Sequence, residues 1–161
     1  MITHQELIET LTYDPETGIF RWAKPRPKIQ VGQIAGYLHH KGYINMEING
    51  KHYSAHRLAW FYITGENSKK QIDHINRCRS DNRISNLREA THGQNRANSK
   101  CFNKNGYKGV TKHKWLKEKP FAAQITFNKK VIYLGCYPTA EEAHSAYCRA
   151  AKKMHGDFFN P

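Results

Sequence analysis

The chain has 161 residues, 39% of them hydrophobic and 12% aromatic, and a formal net charge of +13. That length suits one domain or two small ones, and no apolar run is long enough to span a bilayer. Cys78, Cys101, Cys136 and Cys148 are too scattered for a zinc knuckle or a disulfide framework, and the N-terminus lacks a signal-segment pattern, so a reducing cytoplasm is expected.

The charge is unevenly spread. Residues 1–55 carry six basic and five acidic groups, residues 56–98 eight and four, and residues 99–161 twelve and four. A basic excess that grows along the chain, with aromatics interleaved, points to a polyanionic partner and favours nucleic acid. A membrane surface is disfavoured, because the lysines do not line one face of an amphipathic helix.

Thr3-His4-Gln5-Glu6 is a capping-box pattern and predicts a short helix through Leu7, Ile8 and Leu11. Asp14 to Gly18 has turn chemistry, and Ile19 to Trp22 reads as a strand. Residues 23–30, with two prolines and three basic groups, read as a loop. Tyr43 to Ile48 alternates, with Ile44, Met46 and Ile48 on one side. Asn49-Gly50 is a strong hairpin signal, and Lys51 to Ala55 is the return strand. From His56 to Ile63 the spacing becomes helical and stops at Gly65. The aromatics of this helix read as core, and His56 as a hydrogen-bonded structural histidine rather than a ligand.

Gln71 to Ile75 predicts a strand, Asn76 to Asn86 a polar loop with Arg77, Arg79 and Arg83, and Leu87 to Thr91 a second strand. Thr91-x-x-Gln94 then predicts a helix with Asn95 in its first turn. The side chains of this strand–loop–strand–helix unit suit phosphodiester hydrolysis. A hard cation that neutralises phosphate charge takes oxygen ligands, here the Asp73 carboxylate and the Asn95 amide. Water attacking phosphorus needs a base titrating near neutrality, here His74. Neighbours on a strand face opposite ways, so a joint action of Asp73 and His74 requires a local distortion or approach from both edges. Asn86 is expected to bond backbone groups across the loop.

These residues resemble the HNH nuclease family, whose ββα-metal unit carries a base histidine, a structural asparagine and a late metal ligand. The resemblance rests on His56-Arg57-Leu58, Asp73-His74, Asn82-Arg83-Ile84-Ser85-Asn86-Leu87 and Gln94-Asn95. The preceding hairpin, with Gly42-Tyr43-Ile44, is similar to the N-terminal part of phage-type HNH homing endonucleases. The resemblance implies His74 as general base, Asp73 and Asn95 as metal ligands and Asn86 as the residue holding the loop. Asparagine, not histidine, at the third position favours one Mg²⁺ or Mn²⁺ per site, with no structural zinc. Arg57, Arg77, Arg79 and Arg83 are candidate DNA contacts.

Ser99 to Gly106 reads as a linker. Three strands follow, at Tyr107 to His113, Phe121 to Phe127 and Val131 to Tyr137. In the last, Ile132, Leu134 and Cys136 are expected to oppose Val131, Tyr133 and Gly135. Thr139-Ala140-Glu141-Glu142 is a third capping-box pattern, opening a helix with an alanine-rich face that Gly156 ends. This half resembles an AP2 DNA-binding domain through Tyr107-Lys108-Gly109-Val110, Ala122-Ala123-Gln124-Ile125, Tyr133-Leu134-Gly135, Thr139-Ala140-Glu141-Glu142-Ala143, Ala146-Tyr147, Ala150-Ala151 and Asn160-Pro161. The resemblance implies DNA contacts at Lys108, Thr111, His113, Trp115, Gln124, Thr126, Lys129, Lys130 and Tyr133. Lysine and small polar groups mostly replace arginine there, so few bidentate guanine contacts are available.

The expected architecture is therefore α+β: an N-terminal β-hairpin and helix region with the HNH unit over 1–98 (core 56–98), a linker over 99–106, and an AP2-like domain over 107–161 with a three-stranded antiparallel sheet packed on one helix. The expected function is site-selective cleavage or nicking of double-stranded DNA by a homing-type endonuclease, monomeric or homodimeric, in the cytoplasm of a bacterial host if phage-encoded. The rival is a non-catalytic DNA-binding regulator with a decayed nuclease unit, and an RNA target is compatible with the charge.

Overall fold

A computed structural model of the chain describes residues 2–101, 103 and 106–161. Phe102, Lys104 and Asn105, within the expected linker, lie outside the described residues. The first helix, α1 (His4–Thr10), starts as its sequence predicts: Thr3 accepts from Glu6 N and the Glu6 carboxylate returns to Thr3 N, closing the capping box. Leu11 was expected in this helix. It is instead extended and fully buried, and it opens β1 (Leu11–Asp14), which pairs antiparallel with β2 (Ile19–Trp22). Tertiary burial of Leu11 and Tyr13 overrides helical spacing here.

A second sheet holds β3 (Tyr37–Leu38), β4 (Ile44–Ile48) and β5 (Lys51–Ser54) in that order. β3 was not foreseen, since two residues are too few to show a period. The β4–β5 turn has both Asn49 and Gly50 at positive φ, 51° and 72°, which matches the right-handed twist of its strands. Met46 and Ile48 point inward, as the alternation predicts. Helix α2 (Ala55–Thr64) follows without a break and ends at Gly65 in the left-handed conformation. Its Leu58, Ala59 and Phe61 join Leu7, Leu11, Phe20, Trp22, Met46, Ile48, Ile72 and Leu87 in one core. β6 (Gln71–His74) and β7 (Leu87–Ala90) form a two-stranded antiparallel pair, joined by a loop that ends in a single 3₁₀ turn over Ile84–Asn86.

Thr91 caps α3 (His92–Asn98) with a complete reciprocal box to Gln94. β8 (Val110–Lys112), β9 (Phe121–Phe127) and β10 (Lys130–Tyr137) form a three-stranded antiparallel sheet, with β9 central. One face packs on α4 (Ala140–His155), where Val110, Ala123 and Ile125 meet Ala143, Ala146, Tyr147 and Ala151. β8 is shorter than expected, because Gly109 turns through φ 74° and its backbone lies against the Tyr147 ring. The β9–β10 turn is the two residues Asn128-Lys129, both at positive φ, and Lys130 already pairs with Phe127. At α4 only the first of the two capping-box bonds forms, from Glu142 N to the Thr139 hydroxyl.

A β-bulge between Tyr133 and Gly135 corrects the expected faces of β10. Leu134 is the extra residue, so Gly135 pairs with Ala123 and Cys136 with Ala122. Cys136 thereby shares the face of Tyr133, whose hydroxyl donates to its Sγ at 2.9 Å.

The chain divides into two compact units, Met1–Ala90 and Thr91–Pro161. The expected nuclease unit over 1–98 includes α3. In the structure α3 packs on α4 and on the 3₁₀ turn over Gly156–Phe158, and Lys108 Nζ donates to Ala97 O and Ser99 O at 2.6 Å each and to Asn160 O at 3.3 Å. Among the described residues no helix is long and apolar enough to cross a membrane.

Candidate active site

The centre of the N-terminal unit's polar chemistry is the end of β6. Ile72, Asp73 and His74 are buried in succession, so both faces of the strand are covered at this point. Two polar side chains in a row are stable there because each has a partner. Asp73 lies opposite Arg88 in the β6–β7 register and receives a bond from its Nε at 3.0 Å, with the two side chains only 5% and 17% exposed. His74 meets the loop rather than the neighbouring strand: its Nε2 lies 3.2 Å from Asn82 Oδ1.

Burial lowers the pKa of His74 below the ordinary histidine range, and the Asn82 bond and the charges of Asp73 and Asp81 oppose that only in part. The imidazole is thus held toward its neutral, proton-accepting form. His56, from the first turn of α2, packs beside it with ring centroids 5.1 Å apart. Tyr43 lies against both rings, at 5.3 and 6.0 Å, and the Arg79 guanidinium covers Tyr43 at 4.9 Å. His56 was expected to be hydrogen-bonded, but its Nδ1 is buried without a hydrogen-bond partner, so ring packing holds it. Burial, the neighbouring His74 and Arg57 push its pKa down to about 3.

The loop between the strands is closed on itself. Asn86 Oδ1 accepts from Asn76 N at 3.0 Å, while its Nδ2 donates to Asn76 Oδ1 at 3.0 Å and to Asp81 O at 2.8 Å. Asp81 accepts two bonds from the Arg83 guanidinium, at 2.8 and 2.7 Å, and one from Asn76, which help pull its carboxyl down to about 2. Ile75 N donates to Asn86 O, continuing the β6–β7 pairing past His74.

The four candidate arginines sit in different situations. Arg57 donates to Ser68 O and Lys70 O, and Arg83 is paired with Asp81. Arg79 donates to Lys41 O while covering Tyr43. Arg77 holds a positive φ of 63°, a conformation uncommon for a residue with a Cβ. In the C-terminal unit Thr111, Trp115, Gln124, Thr126, Lys129, Lys130 and Tyr133 are exposed and His113 is half-buried. Register places Gln124 beside Tyr133 and Thr126 beside Val131 on the sheet face away from α4. Lys108 differs, its ammonium engaged by three carbonyls. Asn95 is in α3 of the C-terminal unit, its N–H donating to Thr91 O.

Sequence reasoning missed Arg88 and Asn82 as partners of the site, and Tyr13 behind them. Arg88 was reachable by pairing the two predicted strands antiparallel. Asn82 stood inside the quoted run Asn82-Arg83-Ile84-Ser85-Asn86-Leu87, but loop closure, not spacing, brings it to His74. Tyr13, whose hydroxyl donates to Asn82 O at 2.7 Å across 69 residues, left no local signal.

Among the described residues no three His, Cys, Asp or Glu side chains form a group able to hold a metal ion. Asp73 offers a hard carboxylate oxygen, the donor type that Mg²⁺ and Mn²⁺ take. Residues 53–97, from β5 into α3, match the family model described as HNH endonuclease. No curated protein and no solved structure matches the chain. The matched segment supports a nuclease, a hydrolase acting on DNA, and such nucleases typically use a divalent metal.

Proposed function

We propose that the chain is a site-selective, homing-type DNA endonuclease in which His74 is the general base. The observation that carries this reading is the buried Asp73-His74 pair at the end of β6, inside the matched segment, with the imidazole biased toward its neutral form. His74 takes a proton from water as the water oxygen bonds to phosphorus and the bond to the 3′ oxygen breaks. The Asp73 carboxylate is the ligand for Mg²⁺ or Mn²⁺, and the ion supplies charge neutralisation on the phosphate and the leaving oxygen. Asn95 is assigned as the second ligand from the sequence pattern alone. Asn86 keeps the loop closed and so fixes the distance from Asn76 to the 3₁₀ turn.

The C-terminal sheet face bearing Gln124, Thr126 and Tyr133, together with the exposed β9–β10 turn at Lys129 and Lys130, is the proposed DNA anchor, in the manner of an AP2 domain. Lysines there serve as phosphate contacts. One active site per chain makes single-strand nicking the elementary event. A phage origin and a bacterial cytoplasm belong to the same proposal.

A second reading, a DNA-binding regulator with an inactive nuclease unit, is favoured by one observation: Arg88 already engages Asp73. The two are separated with supercoiled plasmid and Mg²⁺. Wild-type chain is expected to nick, and His74→Ala to lose the activity by on the order of 10²-fold or more while still binding DNA. Equal cleavage by His74→Ala removes the base assignment, and no cleavage by wild type with either metal favours the regulator.

A further inference from the structure

The contact between His74 and Asn82 has a direction that the rest of the loop imposes. Asn82 is 2% exposed and its side-chain Nδ2 donates to Ser80 O at 3.2 Å. Turning the amide over would set its oxygen against that carbonyl and its NH₂ against the imidazole. The orientation with Oδ1 toward His74 is therefore fixed by the network. An amide oxygen only accepts, so the nitrogen facing it, Nε2, must carry the proton. In the neutral ring this leaves the lone pair on Nδ1.

Asn82 is in turn held from outside the matched segment. Tyr13 on β1 is 8% exposed, and its hydroxyl donates to Asn82 O at 2.7 Å. Burial pushes the Tyr13 phenol up to about 12, so it remains a donor. The β1–β2 turn presses on the same stretch: Pro15 O accepts from Ile84 N, and a Cβ added at Gly18 would collide with Arg83 N and Asn82 C. The N-terminal hairpin thus grips residues 82–84 at three points.

We propose that Asn82 is a positioning residue that fixes which nitrogen of His74 carries the proton, and that Tyr13 of the N-terminal hairpin locks Asn82 in that role. Base catalysis then works from Nδ1, and residues far outside the nuclease segment set its tautomer. The inference rests on His74 being the base only for its effect on cleavage. The tautomer itself is a property of the folded protein without DNA.

The test reads both, on the full-length chain. Long-range proton–nitrogen spectra of the histidine rings at about pH 8, where histidine is ordinarily neutral, report the tautomer directly, with His74 assigned by its loss in His74→Gln. Wild type is expected to show the Nε2–H pattern, and Asn82→Asp, which keeps an acceptor, to retain it. Asn82→Leu is expected to shift to Nδ1–H or a mixture. Its single-turnover nicking should fall on the order of 10²-fold with DNA affinity changed by less than about twofold. Tyr13→Phe is expected to give a mixed pattern. An Nδ1–H pattern in wild type, or an unchanged Nε2–H pattern in Asn82→Leu, overturns the role of Asn82. An unchanged pattern in Tyr13→Phe overturns the lock. If Asn82→Leu does not fold, an Nδ1–H pattern in Asn82→Asp overturns the proposal equally. Normal cleavage by His74→Ala would remove the base assignment but leave the tautomer result standing, so the two failures are distinguishable.

Discussion

At the scale of single residues, the histidines of the site respond to pH in one direction. His56 has a folded-state pKa near 3 because its ring is enclosed by Tyr43 and His74 and its Nδ1 has no hydrogen-bond partner. Between about 3 and the ordinary value near 6.5 the unfolded chain binds a proton that the folded chain refuses. Stability is therefore full above about pH 6.5 and falls as pH drops below it, by an amount on the order of a few kcal/mol. Urea unfolding of wild type against His56→Asn checks this: the wild-type midpoint should decline from pH 7 to pH 4 more steeply than the variant's. Parallel curves would mean that His56 is not the group responsible. Asp81 adds an acid-side loss with the same sign but at lower pH. Its carboxyl is depressed to about 2 by Arg83 and Asn76, so its contribution is present above about 4 and disappears toward 2. Asp73, His74 and Asn86 were chosen from the chain by what their atoms can do, and the structure places all three on or beside the β6–β7 pair. Their partners could not be read that way. Asn82 and Arg88 become neighbours of His74 and Asp73 only once the loop closes and the strands take their register.

At the scale of elements, local signals were strongest where a cap or turn dictates geometry alone. Thr3 and Thr91 form the boxes their spacing predicts, and Asn49-Gly50 forms the hairpin turn. Short elements whose identity depends on burial escaped, namely β1 and β3. The bulge in β10 escaped too, because one added residue changes no composition yet inverts the faces of Gly135 and Cys136. Gly109 shows how tightly one such element is set. It needs a positive φ and close approach to the Tyr147 ring at once. Gly109→Ala is expected to cost about 2 kcal/mol or more through combined backbone strain and overpacking, measured by chemical denaturation. A loss below about 0.5 kcal/mol would show that the sheet can shift away from α4 at no cost.

At the scale of the whole molecule, the charge gradient is the feature most legible without coordinates. The excess in residues 99–161 is twelve basic groups against four acidic, and the structure sorts these by availability. Lys108 is spent on carbonyl oxygens, whereas Lys129 and Lys130 stand exposed at the β9–β10 turn. If that turn meets phosphates, the double variant Lys129→Ala/Lys130→Ala should reduce the slope of log affinity against log salt by about 1 to 2. An unchanged slope would place the DNA elsewhere.

The grip of the β1–β2 hairpin on residues 82–84 also bears on any attempt to transplant the nuclease. A graft cut at the edges of the matched segment, 53–97, would carry every side chain assigned to the chemistry. It would leave behind the phenol at residue 13, the carbonyl at residue 15 and the glycine turn at residue 18. The smallest portable version of the proposed nuclease therefore starts near the beginning of the chain, well ahead of the segment that matches the family model.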